Sequence, residues 1–472
     1  MEREFFKNLI LKIAGLAFVA TAMFAAGAPA AYAAGAPAAP AAQSDAVKAF
    51  SEFSNGGGGA LNVVNCADYL NGASIKMNLA ASAKGAIVPG AAVDFGGTVV
   101  NGGKHPIVDG ALYAKIYKKT AAGARPGAGD QLVDEFYAVK NLAIPAGAST
   151  PVSFSWKLPN RAQSGDYYLA SYFIVADKFA LSGVPYADGL PGGESDFKVY
   201  GAQSKAVVID RSSVKVDGAK YDFGSFSPIV DASKPITVSF NIVNNSGAAE
   251  NVPVTYVLHG RDNLSDSAPA GVTSELVSIP AGASKSLTYT IKDNSVAVYE
   301  LTAAAQYNDA KSMIDVRVAR GGEEDLTLDY LALGAYPLAA GKDNLAAACA
   351  SNGGGGTVSD GKLVISVLDG AGNTIASGSY SGLLSGIPAG FAKIFRPVSL
   401  LTAFSVKAEL YQGGKLADSA VLAYDCKTLA PDSCGAGSGS GALTVVVIVV
   451  IVAILIIILA ILDYDKKRKG ER

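Results

Sequence analysis

Charge is scarce in this chain. Only 17% of its 472 residues are Asp, Glu, Lys or Arg, and the formal net charge is −2. Binding to nucleic acid needs a basic face set against phosphates, and no such face is visible, so no nucleic-acid partner is expected. Histidine is almost missing: His105 and His259 are the only two, with no HExxH pattern and no third ligand at metal-site spacing. Both read as surface turn residues. The glycine runs are not followed by Lys-Ser or Lys-Thr, which excludes a phosphate loop. Heptad repeats and long Glu/Lys helices are absent, which excludes a coiled-coil stalk. No convergent set of acid, base and nucleophile emerges. The expectation is therefore a protein that is no enzyme, with no catalytic residues and no cofactor.

What the chain has in quantity is glycine (53 residues), tyrosine (21) and phenylalanine (18). Gly-marked turns between Tyr/Phe-containing segments suit compact β modules. The clearest segment is "NVPVTYVLHG", where Val252, Val254, Tyr256 and Leu258 fall on one face and Pro253, Thr255 and Val257 on the other. That period of two is the mark of a half-buried strand. In "PVSFSWKL" the same reasoning puts Val152, Phe154, Trp156 and Leu158 on a core stripe, with Trp156 a core residue. Three β-sandwich domains are expected, at residues 60–205, 206–320 and 325–430.

Both ends carry segments of another kind. Lys7 and Lys12 precede an apolar stretch, and Ala31-Tyr32-Ala33 offers a cleavage site, so residues 1–33 read as a signal peptide. An Ala/Pro/Gly-rich linker, 34–59, follows. Near the other end, 435–442 reads as a flexible tether, and Leu443 to Leu462 is an uncharged apolar run of 20 residues. A helix of that length spans a bilayer core of roughly 30 Å, so a single transmembrane helix is expected at 443–462. The basic tail 463–472, with Lys466, Lys467, Arg468 and Lys469, would lie on the cytoplasmic side. These segments together predict a single-pass protein of the cell membrane with an extracellular N-terminus and the lipid bilayer as partner.

Repeats tie the modules together. "IPAGAS" occurs identically at Ile144–Ser149 and Ile279–Ser284, and "IPAG" returns at Ile387–Gly390. In the first two copies a Pro-Gly turn joins two strands. "SNGGGG" also occurs twice, at Ser54–Gly59 and Ser351–Gly356, and reads as a join or a long loop.

Candidate sites are few. Four cysteines, Cys66, Cys349, Cys426 and Cys434, allow three pairings, and sequence does not choose among them. Cys426 and Cys434 are near enough to close a small loop, and Cys66 with Cys349 would then join the first and last modules. Asp325 and Asp329, after "GGEE" at a module junction, are weak candidates for calcium, against the plainer reading of a solvated acidic linker. Asn244 and Asn263 begin N-x-S sequons in expected loops and are candidate glycosylation sites.

With these residues in view, the middle module resembles the CARDB-like and related S-layer-associated immunoglobulin-like domains of archaeal and bacterial surface proteins. The resemblance lies in "VSFNIVNNSGAAENVPVTYVL" and "IPAGASKSLTYTI", with a looser version in "AAVDFGGTVVNGG" and "IPAGASTPVSFSW". It implies an all-β fold of tandem immunoglobulin-like sandwiches. It also implies a structural role in the cell envelope, as an S-layer or coat component or its stalk, with self-association or other surface proteins as partners. The alternative is an adhesin, receptor or spike-like attachment protein that binds a cell, protein or glycan through its outer domain. Exposed aromatics around Tyr167, Tyr168, Tyr172, Tyr186 and Phe197 would favour that alternative.

Overall fold

The computed structural model describes residues 61–429, apart from 65, 67–74, 83–84, 86, 104, 121–128, 176–178, 183–190, 202–206, 225–227, 232, 261–268, 293–295, 322–325, 335, 337, 353–357, 385–388 and 398–400. All of these described residues belong to one compact unit. Its strands fall into three groups.

The first group contains β1 (Asn62–Val64), β2 (Ile75–Ala81), β3 (Ala92–Asn101), β4 (Ile107–Lys118), β5 (Gln131–Ile144), β6 (Ser149–Lys157), β7 (Gly165–Val175), β8 (Phe179–Ser182) and β9 (Gly193–Val199). The second contains β10 (Val207–Val216), β11 (Ala219–Lys220), β12 (Ile229–Asp231), β13 (Ile236–Asn244), β14 (Glu250–Gly260), β15 (Gly271–Ile279), β16 (Ser284–Ile291), β17 (Val298–Tyr307) and β18 (Ala310–Gly321). The third contains β19 (Leu326–Leu333), β20 (Asn344–Asn352), β21 (Val358–Asp369), β22 (Thr374–Leu384), β23 (Ala389–Phe395), β24 (Ala403–Gln412) and β25 (Lys415–Asp425), and ends in a short helix α1 (Cys426–Leu429).

The second group shows how the sequence builds its layers. Sheet β11-β10-β13-β16 faces β15-β14-β17-β18, and one hydrophobic core fills the space between them. Ile236, Val238, Phe240 and Ile242 of β13 alternate inward, and Val252, Val254, Tyr256 and Leu258 of β14 meet them. Burying an aliphatic or aromatic side chain stabilises by about 1.5–3 kcal/mol, so the two-residue period dictates which face turns in.

The first group departs from that pattern. Strands β4 and β7 are buried along almost their whole length, on both faces. Their sequences, "IVDGALYAKIYK" and "GDYYLASYFIV", run nearly continuously apolar, as a strand covered on both sides requires. The reason is topological. The sheet β4-β5-β7 continues into the second group through an antiparallel pairing of β18 with β5, at Met313 opposite Leu132. A ten-stranded sheet results, in the order β15-β14-β17-β18-β5-β4-β7-β8, with β12 also on β18 and β9 also on β7.

The third group has sheets β22-β21-β24-β25 and β19-β20-β23-β1. Its last strand comes from the far N-terminal end of the described chain: Asn62, Val63 and Val64 pair antiparallel with Ala392, Phe391 and Gly390. Gly390 is needed there, because a Cβ would lie 2.3 Å from the Val64 carbonyl oxygen.

Two expectations are corrected. Sandwich modules joined end to end, as tandem domains, would each keep their own sheets; here the first and second groups share a sheet, and the third borrows a strand. The membrane anchor is the second. Among the described residues no helix is long and apolar enough to cross a membrane, and the run 443–462 lies outside them. The structure therefore carries an all-β, multi-sheet body and no spanning helix among its described residues. The single-pass topology, the lipid bilayer as partner, the cell-membrane location and the coat role resting on that anchor lose their support. The signal peptide 1–33, the linker 34–59, the tether 435–442 and the tail 463–472 also lie outside the described residues.

Candidate functional site

The junction of the first two groups holds a buried ionic cluster. Lys115 lies in the middle of β4, wholly inaccessible to solvent, directly opposite Glu135 of β5. Its ammonium donates to Asp315 Oδ2 of β18 at 2.5 Å and lies 3.4 Å from Glu135 Oε2. Thr302 Oγ1 of β17 donates to the other oxygen, Asp315 Oδ1, at 3.0 Å. Glu300 of β17, also buried, is near enough to act electrostatically on Glu135 and on the Tyr113 hydroxyl.

Three carboxyls and one ammonium in a dry space do not all ionise together. Burial, followed by the charge of Asp315, pushes the Glu135 carboxyl well above the usual range, and Glu135 shares a hydrogen bond with Asp315. At Asp315 burial pulls in the same upward direction but is outweighed by the Lys115 ammonium and by the hydrogen bonds from Lys115, Glu135 and Thr302, so Asp315 is held below its usual range. Burial and the neighbouring carboxylates drive the Tyr113 hydroxyl well above its ordinary value. The arrangement sets a carboxyl pushed upward, a carboxyl held downward and a lysine in mutual contact.

Sequence analysis passed over all three residues. The signal was present: Lys115 is a charge inside the apolar run "LYAKIY", and Asp315 lies between Ile314 and Val316 in "MIDVRV". A lone charge in a strand buried on both faces needs a partner.

Beside this junction a cleft of about 490 Å³ opens between the groups, lined by Thr120, Gly129 and Gln131 on one side and by Asp210, Arg211, Lys220, Tyr221, Asp222, Phe223 and Asn245 on the other. The buried Arg211 guanidinium lies 3.8 Å above the centre of the Phe223 ring. Lys220, Asp222 and Asn245 are exposed on the rim.

Of the residues singled out from sequence, Cys66 and Cys349 form a disulfide, with Cα atoms 5.7 Å apart. It staples β1 to β20 across β23. Cys426, at the start of α1, is also disulfide-bonded, and Cys434 lies outside the described residues. Asp329 lies in β19, where Ser351 Oγ donates to its Oδ1 at 2.8 Å. Asp325 is outside the described residues, and no group of three metal-ligating side chains occurs among those described.

Asn244 is not a loop residue open to sugar. Its side chain is fully buried, and its Nδ2 donates to the carbonyls of Ala248, Ile279 and Pro280 at 2.8, 3.0 and 3.1 Å. A glycan on that nitrogen would displace these bonds, so the folded chain offers no acceptor there. Asn263 lies outside the described residues. Asn101 reproduces the arrangement in the first group, donating to the carbonyls of His105, Ile144 and Pro145. Each asparagine thus clamps one copy of the IPAGAS turn. In both turns an Ala amide closes on a Pro carbonyl at 3.1 Å, with Gly147 (φ 71°) or Gly282 (φ 68°) in the left-handed region, the geometry of a type II turn. In the third copy, Ala389 and Gly390 belong instead to β23.

The aromatics named as an exposed binding cluster are core: Tyr167, Tyr168, Tyr172 and Phe197 are all buried, and Tyr186 lies outside the described residues. Val152, Trp156 and Leu158 are buried as their spacing requires, and Trp156 Nε1 donates to Asp134 at 2.9 Å. His105 and His259 are half-buried, and His259 lies within β14 rather than in a turn.

No protein-family model and no curated protein matches the chain. Solved structures show only distant likeness. A trypsin-activated alpha-2-macroglobulin from Escherichia coli is 9% identical with a TM-score of 0.31, covering 77% of this chain and 24% of that one. Red sea bream transglutaminase is 11% identical with a TM-score of 0.24, covering 46% and 31%. A glycosyl hydrolase family 2 member from Bacteroides cellulosilyticus is 11% identical with a TM-score of 0.21, covering 43% and 29%. The chain thus spans less than a third of each of these proteins, and likeness at this level assigns it to no family.

Proposed function

We propose that this chain is an attachment protein that recognises a glycan through the cleft between its first two strand groups. The observation that supports this reading is the lining of that cleft, which sets the carboxylates of Asp210 and Asp222, the Asn245 amide, the Arg211 guanidinium and the Lys220 ammonium around one concave space. Sugars present many hydroxyls together, and a concave site that offers several fixed polar and charged groups suits them. The cleft lies between two groups held in one continuous sheet, so its walls are preorganised.

Glycan-array screening of the purified chain, followed by titration of any hit against Asp222→Ala and Asn245→Ala, tests the reading. Binding weakened at least tenfold by either substitution is the expected result. Binding that neither variant alters, or no glycan retained at millimolar concentration, overturns it.

A further inference from the structure

We infer that Lys115 and Asp315 are the two ends of an intramolecular amide cross-link that this fold forms on itself, with Glu135 as the proton-transferring group. The geometry has each requirement of such a reaction. The Lys115 nitrogen is held against the Asp315 carboxyl at 2.5 Å by strands that are 200 residues apart in sequence. Glu135 touches both partners, lying 3.4 Å from the nitrogen and sharing a hydrogen bond with Asp315. Lys115 is wholly buried and Asp315 nearly so, with aromatic and apolar neighbours that exclude bulk water.

The chemistry balances without a co-reactant. In a dry site the ion pair exchanges a proton to become a neutral amine and a neutral carboxylic acid. The amine lone pair attacks Asp315 Cγ and the Nζ–Cγ bond forms. Glu135 gives its proton to the departing hydroxyl, the Cγ–O bond breaks, and water leaves. Glu135 then takes the surplus proton from nitrogen and is restored. Ammonium plus carboxylate becomes amide plus water, with no oxidation or reduction. Condensation in bulk water is unfavourable, but two groups fixed in contact react as though at very high concentration, with effective molarities on the order of 10⁵–10⁸ M for well-oriented pairs. Loss of two buried charges favours the product further.

The position also has a use. Strands β18 and β5 share a single registered pair, Met313 with Leu132, where the long sheet passes from the second group to the first. A covalent bond from β4 to β18 would cross that weakest point and hold the groups together against mechanical load.

The test is mass spectrometry of the full chain, folded, then denatured, reduced and digested with trypsin. The expected result is a branched product joining residues 105–118 to residues 312–317, lighter than its two parts by one water, with cleavage after Lys115 lost. Recovery of the Lys115 and Asp315 peptides unlinked from the folded wild-type chain would overturn the inference. Glu135→Gln, which keeps the shape of the site, is expected to give folded protein with the cross-link reduced at least tenfold. A Glu135→Gln chain that links as fully as the wild type would overturn the role given to Glu135.

Discussion

Two junctions hold this molecule together, and they are built on opposite principles. Between the first and second strand groups the joint is interior: a shared sheet with Lys115 and Asp315 buried at the seam and Glu135 half-buried beside them. Between the first and third it is a clasp at the edge, with the three-residue β1 laid along β23 and fastened by Cys66–Cys349. Until Lys115 and Asp315 join, the interior joint depends on matching charge in a place where any unmatched charge is costly. The clasp depends on covalent closure of a loop 283 residues long, and its backbone pairing alone is too short to hold. A polar joint therefore fails when one partner is removed, whereas a clasp fails when its bond is reduced.

The largest effect is expected at the interior joint. Asp315→Ala leaves the Lys115 amine buried without its carboxylate and should cost about 3–5 kcal/mol in urea unfolding. Replacing Lys115 and Asp315 together by Met and Leu should cost less than Asp315→Ala alone, because no charge is stranded. If the double variant is the weaker, the contrast between the joints collapses. At the clasp, Cys349→Ala should cost about 2–4 kcal/mol under oxidising conditions, and its difference from the wild type should vanish when reductant opens the Cys66–Cys349 bond in both. The Lys115 and Asp315 variants should respond to reductant as the wild type does, so the two joints separate in one experiment.

Smaller effects are expected at the repeated turns. Asn101→Ala and Asn244→Ala each leave buried carbonyls unsatisfied and should cost about 1–3 kcal/mol, by similar amounts, since the bonds are the same in both copies. Gly147→Ala and Gly282→Ala should each cost about 1 kcal/mol, because an L residue is strained at these positive φ angles while the space around each is open.

The interior joint should also respond to pH. Burial keeps Glu135 protonated in the folded chain above the range where the unfolded chain has released that proton. The folded state then binds more protons, and stability falls as pH rises from the ordinary glutamate range toward the raised value. In a chain whose Lys115–Asp315 amide has not formed, as in Glu135→Gln, Asp315 is held below its usual range and contributes the reverse: stability that is present above the ordinary aspartate range and lost as pH falls. Glu135→Gln is expected to abolish the first slope and keep the second. A variant that retains both slopes would show that Glu135 is not the group responsible.

Strand β14 of the second group was legible residue by residue. In β14 one face packs on a single core and the other does not, so apolar and polar positions alternate and declare the fold locally. In β4 and β7 the same reading loses its grip. Strands covered on both faces show no alternation, and nothing in "YYLASYFIV" tells which neighbour covers which side. The Asn244 sequon misled for a related reason. Its neighbours mark a turn, but whether the amide points outward or clamps the turn depends on the Ile279 and Pro280 carbonyls, 35 and 36 residues away.

Sequence by itself determined the all-β character, the inward faces of β6 and β14, and the duplicated turn, because these follow from side-chain period and from backbone preferences acting over a few residues. Only the tertiary structure decided which cysteine meets which, that a charge in β4 finds its partner in β18, and that one sheet runs through two groups of strands. Those are contacts between residues 181 to 283 positions apart in the chain. A local pattern can state that a buried lysine needs a carboxylate, but the free energy that selects which one comes from the packing of the whole chain.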